Sequence, residues 1–283
     1  MRVGYLGPRG TFTELAARRL HQGDDVELIP YRTIPEVLRD AEAGRLDQGV
    51  VPIENSIEGS VALTLDVLIH EVSISITGEC VLPVVHHLMA KPGTRLGDVQ
   101  AVLSHPQALA QCRQSLERLV PGADQRAATS TAEAARVVSE SAEPLAALGT
   151  DLAASLYGLE VLEHGLQDLQ ANATRFVSTG KRSSARTGRD KTSVVFAFGT
   201  DKPGNLYKAL QVFAERNINL TKLESRPAKQ SLGEYLFLVD MEGHTEDREI
   251  EEALAAVASQ CSFFKVLGSY PRVDYPRVNG NGI

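Results

Sequence analysis

The chain is predicted to be an α/β protein in two parts, a two-lobed region with a cleft followed by a ferredoxin-like βαββαβ domain. Three observations predict this. Short apolar runs alternate with helical periods, and the alternation occurs twice in the first part of the chain. Lys181 to Lys191, with Ala185 as its one apolar residue, then breaks the pattern and reads as a linker. Beyond it the elements run strand, helix, strand, strand, helix, strand.

Arg2 to Leu6, Val26 to Ile29 and Gln48 to Ile53 are strands separated by helices, which implies a mostly parallel sheet covered on both faces. The clearest helix puts Ile34, Val37, Leu38 and Ala41 on one face before Gly44 ends it. Ile74 to Met89 is strand-rich, with Gly78 and Pro83 marking bends or an edge, and carries the chain into a second lobe. There Ala101 to Leu103 is a strand, and Leu109, Cys112, Leu116 and Leu119 follow at helical spacing. Arg126 to Thr129 is a strand, Ala132 to Ser139 a helix, and the chain returns at Arg175 to Ser178. Past the linker, the strands are Ser193 to Phe198, Asn219 to Glu224, Gly233 to Met241 and Phe263 to Leu267. Leu206, Leu210 and Phe213 mark one intervening helix face, and Ile250, Leu254, Val257 and Cys261 the other. The tail from Pro271 is expected to fray.

Length and composition bound the function. With 283 residues, 43% hydrophobic and 23% charged, the chain has enough apolar material for about two domain cores. Cys80, Cys112 and Cys261 are odd in number and lack C-x-x-C spacing, so they read as reduced thiols rather than a disulfide or zinc framework. The start carries no signal-peptide pattern and nowhere do about 18 uncharged apolar residues run together, which points to the cytoplasm and to no membrane partner. A net charge of -7 argues against nucleic acid, and an anionic ligand must find its positive groups locally.

Four segments carry candidate chemistry. In GPRGTFTE the amides at a helix start can hold a carboxylate, although Thr11 and Glu14 also make a capping box that needs no ligand. PIENSIEG sets Glu54, Asn55 and Ser56 just after a strand, as a ligand loop or as a polar turn. SHPQALAQC begins a helix with another capping pair, Ser104 and Gln107; His105 is a candidate acid or base and Gln111 can face the cleft. In NATRFVSTG, Arg175 beside Thr174 can grip a carboxylate with its planar fork. His86 and His87 are neighbours on a strand, point to opposite faces and so do not pair as ligands.

Taken together, GTFTE, PIENSIEG, TRF (Thr174 to Phe176) and ESRP (Glu224 to Pro227) resemble the signature of prephenate dehydratase over Arg2 to about Pro271. The resemblance implies a periplasmic-binding-protein-like catalytic domain over 1–180, with lobe 1 at about 1–77 and 168–180 and lobe 2 at about 78–167. It implies a linker at 181–191, an ACT regulatory domain at 192–271 and a flexible tail at 272–283. By the same resemblance Thr174 leads the catalytic residues, with Asn55, Ser104 and Gln111; Thr11, Thr13, Glu54, Ser56, Arg175 and Phe176 bind substrate. Phenylalanine is the implied effector, held by Gly204, Asn205, Leu206 and Tyr207 with Glu224, Ser225, Arg226 and Pro227, commonly across a dimer interface. Asn205 stands where the family's GALV-type segment has alanine. The implied reaction converts prephenate to phenylpyruvate, water and carbon dioxide without metal or cofactor, in a homodimer or homotetramer. No chorismate mutase helix precedes Met1, so a monofunctional enzyme is expected. An arogenate dehydratase and a non-catalytic amino-acid sensor stay open as readings of these residues.

Overall fold

A computed structural model describes residues 1–23, 25–169, 171–200, 202–228 and 235–274. The first lobe is built from β1 (Arg2–Leu6), α1 (Phe12–Leu20), β2 (Glu27–Tyr31), α2 (Ile34–Ala43), β3 (Gln48–Asn55), β4 (Gly59–Ser60), α3 (Ala62–His70) and β5 (Ser75–Pro83). The second contains β6 (His87–Ala90), β7 (Ala101–Ser104), α4 (Pro106–Gln111), α5 (Arg113–Leu119), β8 (Asp124–Ala127), α6 (Thr131–Glu140), β9 (Leu145–Gly149), α7 (Asp151–Tyr157) and β10 (Glu160–Glu163). The chain then returns to the first sheet as β11 (Ala173–Gly180).

Sheet order in the first lobe is β2-β1-β3-β11-β5, and in the second β10-β6-β9-β7-β8. The chain therefore crosses between lobes twice, after β5 and before β11. The first sheet is more mixed than the sequence suggests, because β11 runs antiparallel to both β3 and β5. That return strand puts Thr174 directly opposite Asn55 and Arg175 opposite Glu54. Helix α2 has the expected face, with Ile34, Val37, Leu38 and Ala41 buried, a Thr33–Glu36 capping box and Gly44 in the left-handed conformation at its end.

The C-terminal region follows as β12 (Asp190–Ala197), α8 (Asn205–Glu215), β13 (Leu220–Pro227), β14 (Tyr235–Glu242), α9 (Arg248–Ala258) and β15 (Phe263–Pro271), with sheet order β13-β14-β12-β15. Gly233 and Glu234, expected in the third strand of this region, and residues 275–283 of the expected tail lie outside the described residues. Strand β12 begins at Asp190, inside the stretch read as linker, because Lys191 is fully buried against Glu79 rather than solvated.

This four-stranded sheet is covered on both faces. Val194, Phe196, Val239 and Met241 pack under α8 and α9. Val195, Leu236, Leu238, Leu267 and Tyr270 share one core with Leu65, Leu68 and Val177 of the first lobe. Period-two alternation thus divides each strand between its own helices and the catalytic region. The contact is close: a Cβ on Gly268 would sit 2.3 Å from the Ile76 carbonyl oxygen of β5.

Candidate active site

A cavity of about 810 Å³ lies between the lobes. Thr11, Thr13, Asn55, Gln111 and Thr174 line it, so the start of α1, the end of α4 and the neighbouring strands β3 and β11 contribute to its wall. Helix α1 begins there because Thr11 in an extended conformation caps it, its Oγ1 accepting from Glu14 N–H at 3.3 Å. Glu14 completes the turn by accepting from Gly10 N–H at 2.7 Å, so the expected capping pair forms with its second arm one residue earlier. The cap uses one helix-start donor, and Thr11, Phe12 and Thr13 of that start line the cavity.

The centre of the site is the Asn55–Thr174 pair. Asn55 Oδ1 accepts from the backbone N–H of Ile57 at 3.0 Å and of Glu58 at 3.2 Å, which fixes the amide so that its nitrogen faces β11. From there Nδ2 donates to Thr174 Oγ1 at 2.9 Å and to Asn172 Oδ1 at 2.9 Å. With its oxygen accepting, Thr174 keeps its own O–H free to donate into the cavity. Asn172 in turn donates to Gln111 Oε1 at 3.0 Å, linking the lobes across the cleft.

His86 lies against the same Gln111 oxygen at 3.3 Å and lines the cavity. Burial pushes its pKa down to about 4, with Gln111 raising it and His87 adding to the depression, so the ring is neutral near pH 7. His86 and Asn172 were not among the residues expected at the site. Asn172 stands two residues before Thr174, just ahead of β11, and both accept from Asn55 Nδ2. His87 leaves the cavity, as the opposite-face argument requires, and instead meets His164 (Nδ1 to Nδ1, 3.1 Å) and Asp151 (3.3 Å).

Five expected residues are placed elsewhere. Ser104 is fully buried in the second sheet, donating to Leu148 O at 2.9 Å, and the start of α4 is capped by His105 instead. Ser56 bonds Ala171 O and Ala173 N–H, tying the β3–β4 turn to the return strand. Phe176 packs with Tyr5, Phe12 and Leu82 in the first lobe's core. Glu54 and Arg175 turn away from the cleft toward the C-terminal sheet. There Arg175 pairs with Asp240 at 2.7 Å, Glu79 at 2.8 Å and Glu54 at 3.3 Å, and donates to the Tyr270 hydroxyl at 2.7 Å. The cations that do line the cavity are Arg9 and Arg32.

The segments expected to hold an effector are also resolved into faces. Gly204, at φ 88°, caps α8; Asn205 donates to Thr200 O at 2.8 Å, Leu206 packs against the domain core and Tyr207 is exposed. On β13 the alternation sends Lys222, Glu224 and Arg226 toward the first lobe and leaves Leu223, Ser225 and Pro227 exposed. Glu224 thereby bonds Ser60, and Arg226 pairs with Asp66 at 2.9 Å.

A two-lobed α/β scaffold with an interlobe cleft and an appended ferredoxin-like domain defines the class: a small-molecule enzyme carrying a regulatory module. Comparison narrows it. Residues 3–184 match the prephenate dehydratase family and 193–259 the ACT domain. The chain is 41% identical to the prephenate dehydratase of Methanocaldococcus jannaschii, over 96% of this chain and 98% of that one. The crystal structure of prephenate dehydratase from Arthrobacter aurescens in complex with L-Phe superposes with a TM-score of 0.89 at 37% identity, covering 96% of this chain and 90% of that one. GqqA, described as a novel type of quorum quenching acylase, superposes with a TM-score of 0.86 at 31% identity, covering 98% and 100%. This chain belongs to the prephenate dehydratase family.

Proposed function

We propose that the chain converts prephenate to phenylpyruvate, water and carbon dioxide, with Thr174 acting on the hydroxyl that departs. The observation that carries this reading is the Asn55–Thr174 hydrogen bond, which leaves the threonine proton as the donor facing the cleft. Prephenate bears a carboxylate on a quaternary ring carbon and a hydroxyl across the ring. The electron pair of the breaking carbon–carboxylate bond enters the ring, moves through an alkene and expels the hydroxyl, which takes a proton and leaves as water. Carbon dioxide and an aromatic ring remain, with no net oxidation or reduction.

The protein supplies two things. Thr174 donates a hydrogen bond to the departing oxygen and relays a proton from water, since its own hydroxyl is too weak an acid to give one up outright. The helix-start amides at Thr11 and Thr13, with Arg9 and Arg32, hold the side-chain carboxylate. Gln111 and Asn172 orient the ring from the other side.

An acylase chemistry would need a nucleophile activated by a base. Asn55 donates to the Thr174 oxygen instead of taking its proton, and His86 Nε2 is engaged by Gln111, so this geometry favours the lyase. Phenylalanine is proposed to inhibit through the ACT domain, as the L-Phe complex of the Arthrobacter relative suggests. We place the enzyme in the cytoplasm as a homodimer or homotetramer; among the described residues no helix is long and apolar enough to cross a membrane.

The test is direct. Purified protein is mixed with prephenate and phenylpyruvate formation is followed, for the wild type and for Thr174→Ala. The variant should keep its fold and lose ~10² to 10⁴ in kcat. Wild-type turnover by a folded Thr174→Ala protein would remove Thr174 from the mechanism.

A further inference from the structure

We infer that Arg175 is a positioning residue for the dehydration, the point at which docking of the C-terminal sheet is felt by Thr174. The inference rests on the reading of Thr174 given above. It begins with an arrangement of two adjacent rungs. Thr174 and Asn55 are cross-strand partners on β11 and β3, facing the cleft; Arg175 and Glu54, the next pair along, face the opposite way. Asn55 and Thr174 therefore each have, as a chain neighbour, a charged residue bonded toward the C-terminal sheet.

The far side of that second rung is a buried polar network drawn from both regions. Arg175 is 4% exposed, and Glu79, Asp240, Lys191 and Tyr270 around it are 3%, 3%, 0% and 0% exposed. Lys191 Nζ lies 2.8 and 2.9 Å from the two Glu79 oxygens. Ser193 joins Asp240 and Tyr270 at 2.5 and 2.6 Å. Burial alone would raise the Asp240 pKa, but Arg175, the Ser193 hydroxyl and Lys191 outweigh it and hold the carboxyl below its ordinary value. A second contact runs along β13, where Lys222 pairs with Glu54 at 3.1 Å on the strand that carries the expected effector segment.

Buried ion pairs add little stability over apolar packing of the same shape, yet losing one partner strands a charge at a large cost. Such a network tolerates one arrangement and rejects near misses. When the sheet carrying Asp240 and Tyr270 moves, Arg175 must follow or lose its partners, and Thr174 is one residue away on the same strand. An effector that binds one docking arrangement better than another thus shifts the population of competent Thr174 positions. A grip on substrate is a different role, and the guanidinium faces away from the cleft.

Tyr270→Phe and Asp240→Asn test this in the full chain. Steady-state kinetics per folded protein should show kcat lower by on the order of 10-fold with KM for prephenate within about twofold, as a small misplacement of a donor demands. Phenylalanine should still bind by calorimetry while its inhibition weakens several-fold. A rise in KM at unchanged kcat would overturn the inference in favour of substrate binding. Unchanged kcat together with an unchanged phenylalanine response in a folded but less stable variant would reduce the network to a structural one. If Asp240→Asn does not fold, Tyr270→Phe decides alone, since it deletes one hydroxyl and leaves the charges balanced. Wild-type turnover by Thr174→Ala would instead sink the site reading, and absence of phenylalanine binding to the wild type would sink the effector reading, leaving the kcat and KM split to judge Arg175.

Discussion

Asn55 decides what Thr174 can do. Two backbone N–H groups fix the Asn55 oxygen, so its nitrogen must donate to Thr174 and the threonine proton is turned into the cleft. Asn55→Asp replaces that donor with a carboxylate that accepts, so the threonine hydroxyl turns toward it; kcat should fall at least as far as in Asn55→Ala, by ~10² or more, with folding retained. Stopped or steady-state assays of both variants check the order, and an active Asn55→Asp enzyme contradicts it. His86 makes a second claim at this scale. Its folded pKa of about 4 lies below the ordinary 6.5, so between those values the unfolded chain binds more protons and stability falls as pH drops from 6.5 toward 4. For this nearly buried group the contribution is about 3 kcal/mol. Denaturant melts of His86→Gln and wild type across that window should show a shallower slope for the variant. Parallel slopes would count against a neutral, buried ring. The TRF segment shows both the reach and the failure of motif reading. Its resemblance to the family motif marks Thr174, but alternation along β11 sets Thr174 and Arg175 on opposite faces.

At the level of elements, amphipathic periodicity was legible wherever one face is wet. Helix α2 buries the four apolar residues its spacing selects and ends at the Gly44 its sequence names. Strand β13 also alternates, yet its inward positions are Lys222, Glu224 and Arg226, which polarity alone assigns to solvent. Their partners Glu54, Ser60 and Asp66 are remote in sequence, and no local pattern announces them. Strand β15 approaches β5 closely. Gly268 has φ 155°, and a methyl there would meet the Ile76 carbonyl oxygen at 2.3 Å and its nitrogen at 2.8 Å, both backbone atoms of β5. Gly268→Ala should therefore destabilise by about 1–3 kcal/mol, a drop of several degrees in Tm for a chain of this size. Thermal melts check it, and an unchanged Tm would mean that β15 and β5 separate more easily than their spacing implies.

Across the whole molecule, the first lobe and the C-terminal domain share one apolar core, while the second lobe keeps its own. Removing residues 188–283 would uncover Leu65, Leu68 and Val177 and leave Glu79 and Arg175 without Lys191 and Asp240. The shortened chain should melt lower and aggregate, as calorimetry and light scattering would report; a soluble fragment with the full-length Tm would show that the two regions are independent. The sequence by itself determined the α/β class, the βαββαβ order, the family through its four motifs, and the residues Thr174, Asn55, Gln111, Thr11 and Thr13 that line the cavity. The class and the element order follow from local periodicity, and the family and the site residues follow from the resemblance that the four motifs carry. Only the tertiary structure decided which way Arg175, Glu54, Glu224 and Arg226 face, and that Ser104 and Phe176 are packed away from the cleft. A side chain's direction on a strand is set by the sheet that covers it. Charged residues point inward here because opposite charges from a distant segment meet them there.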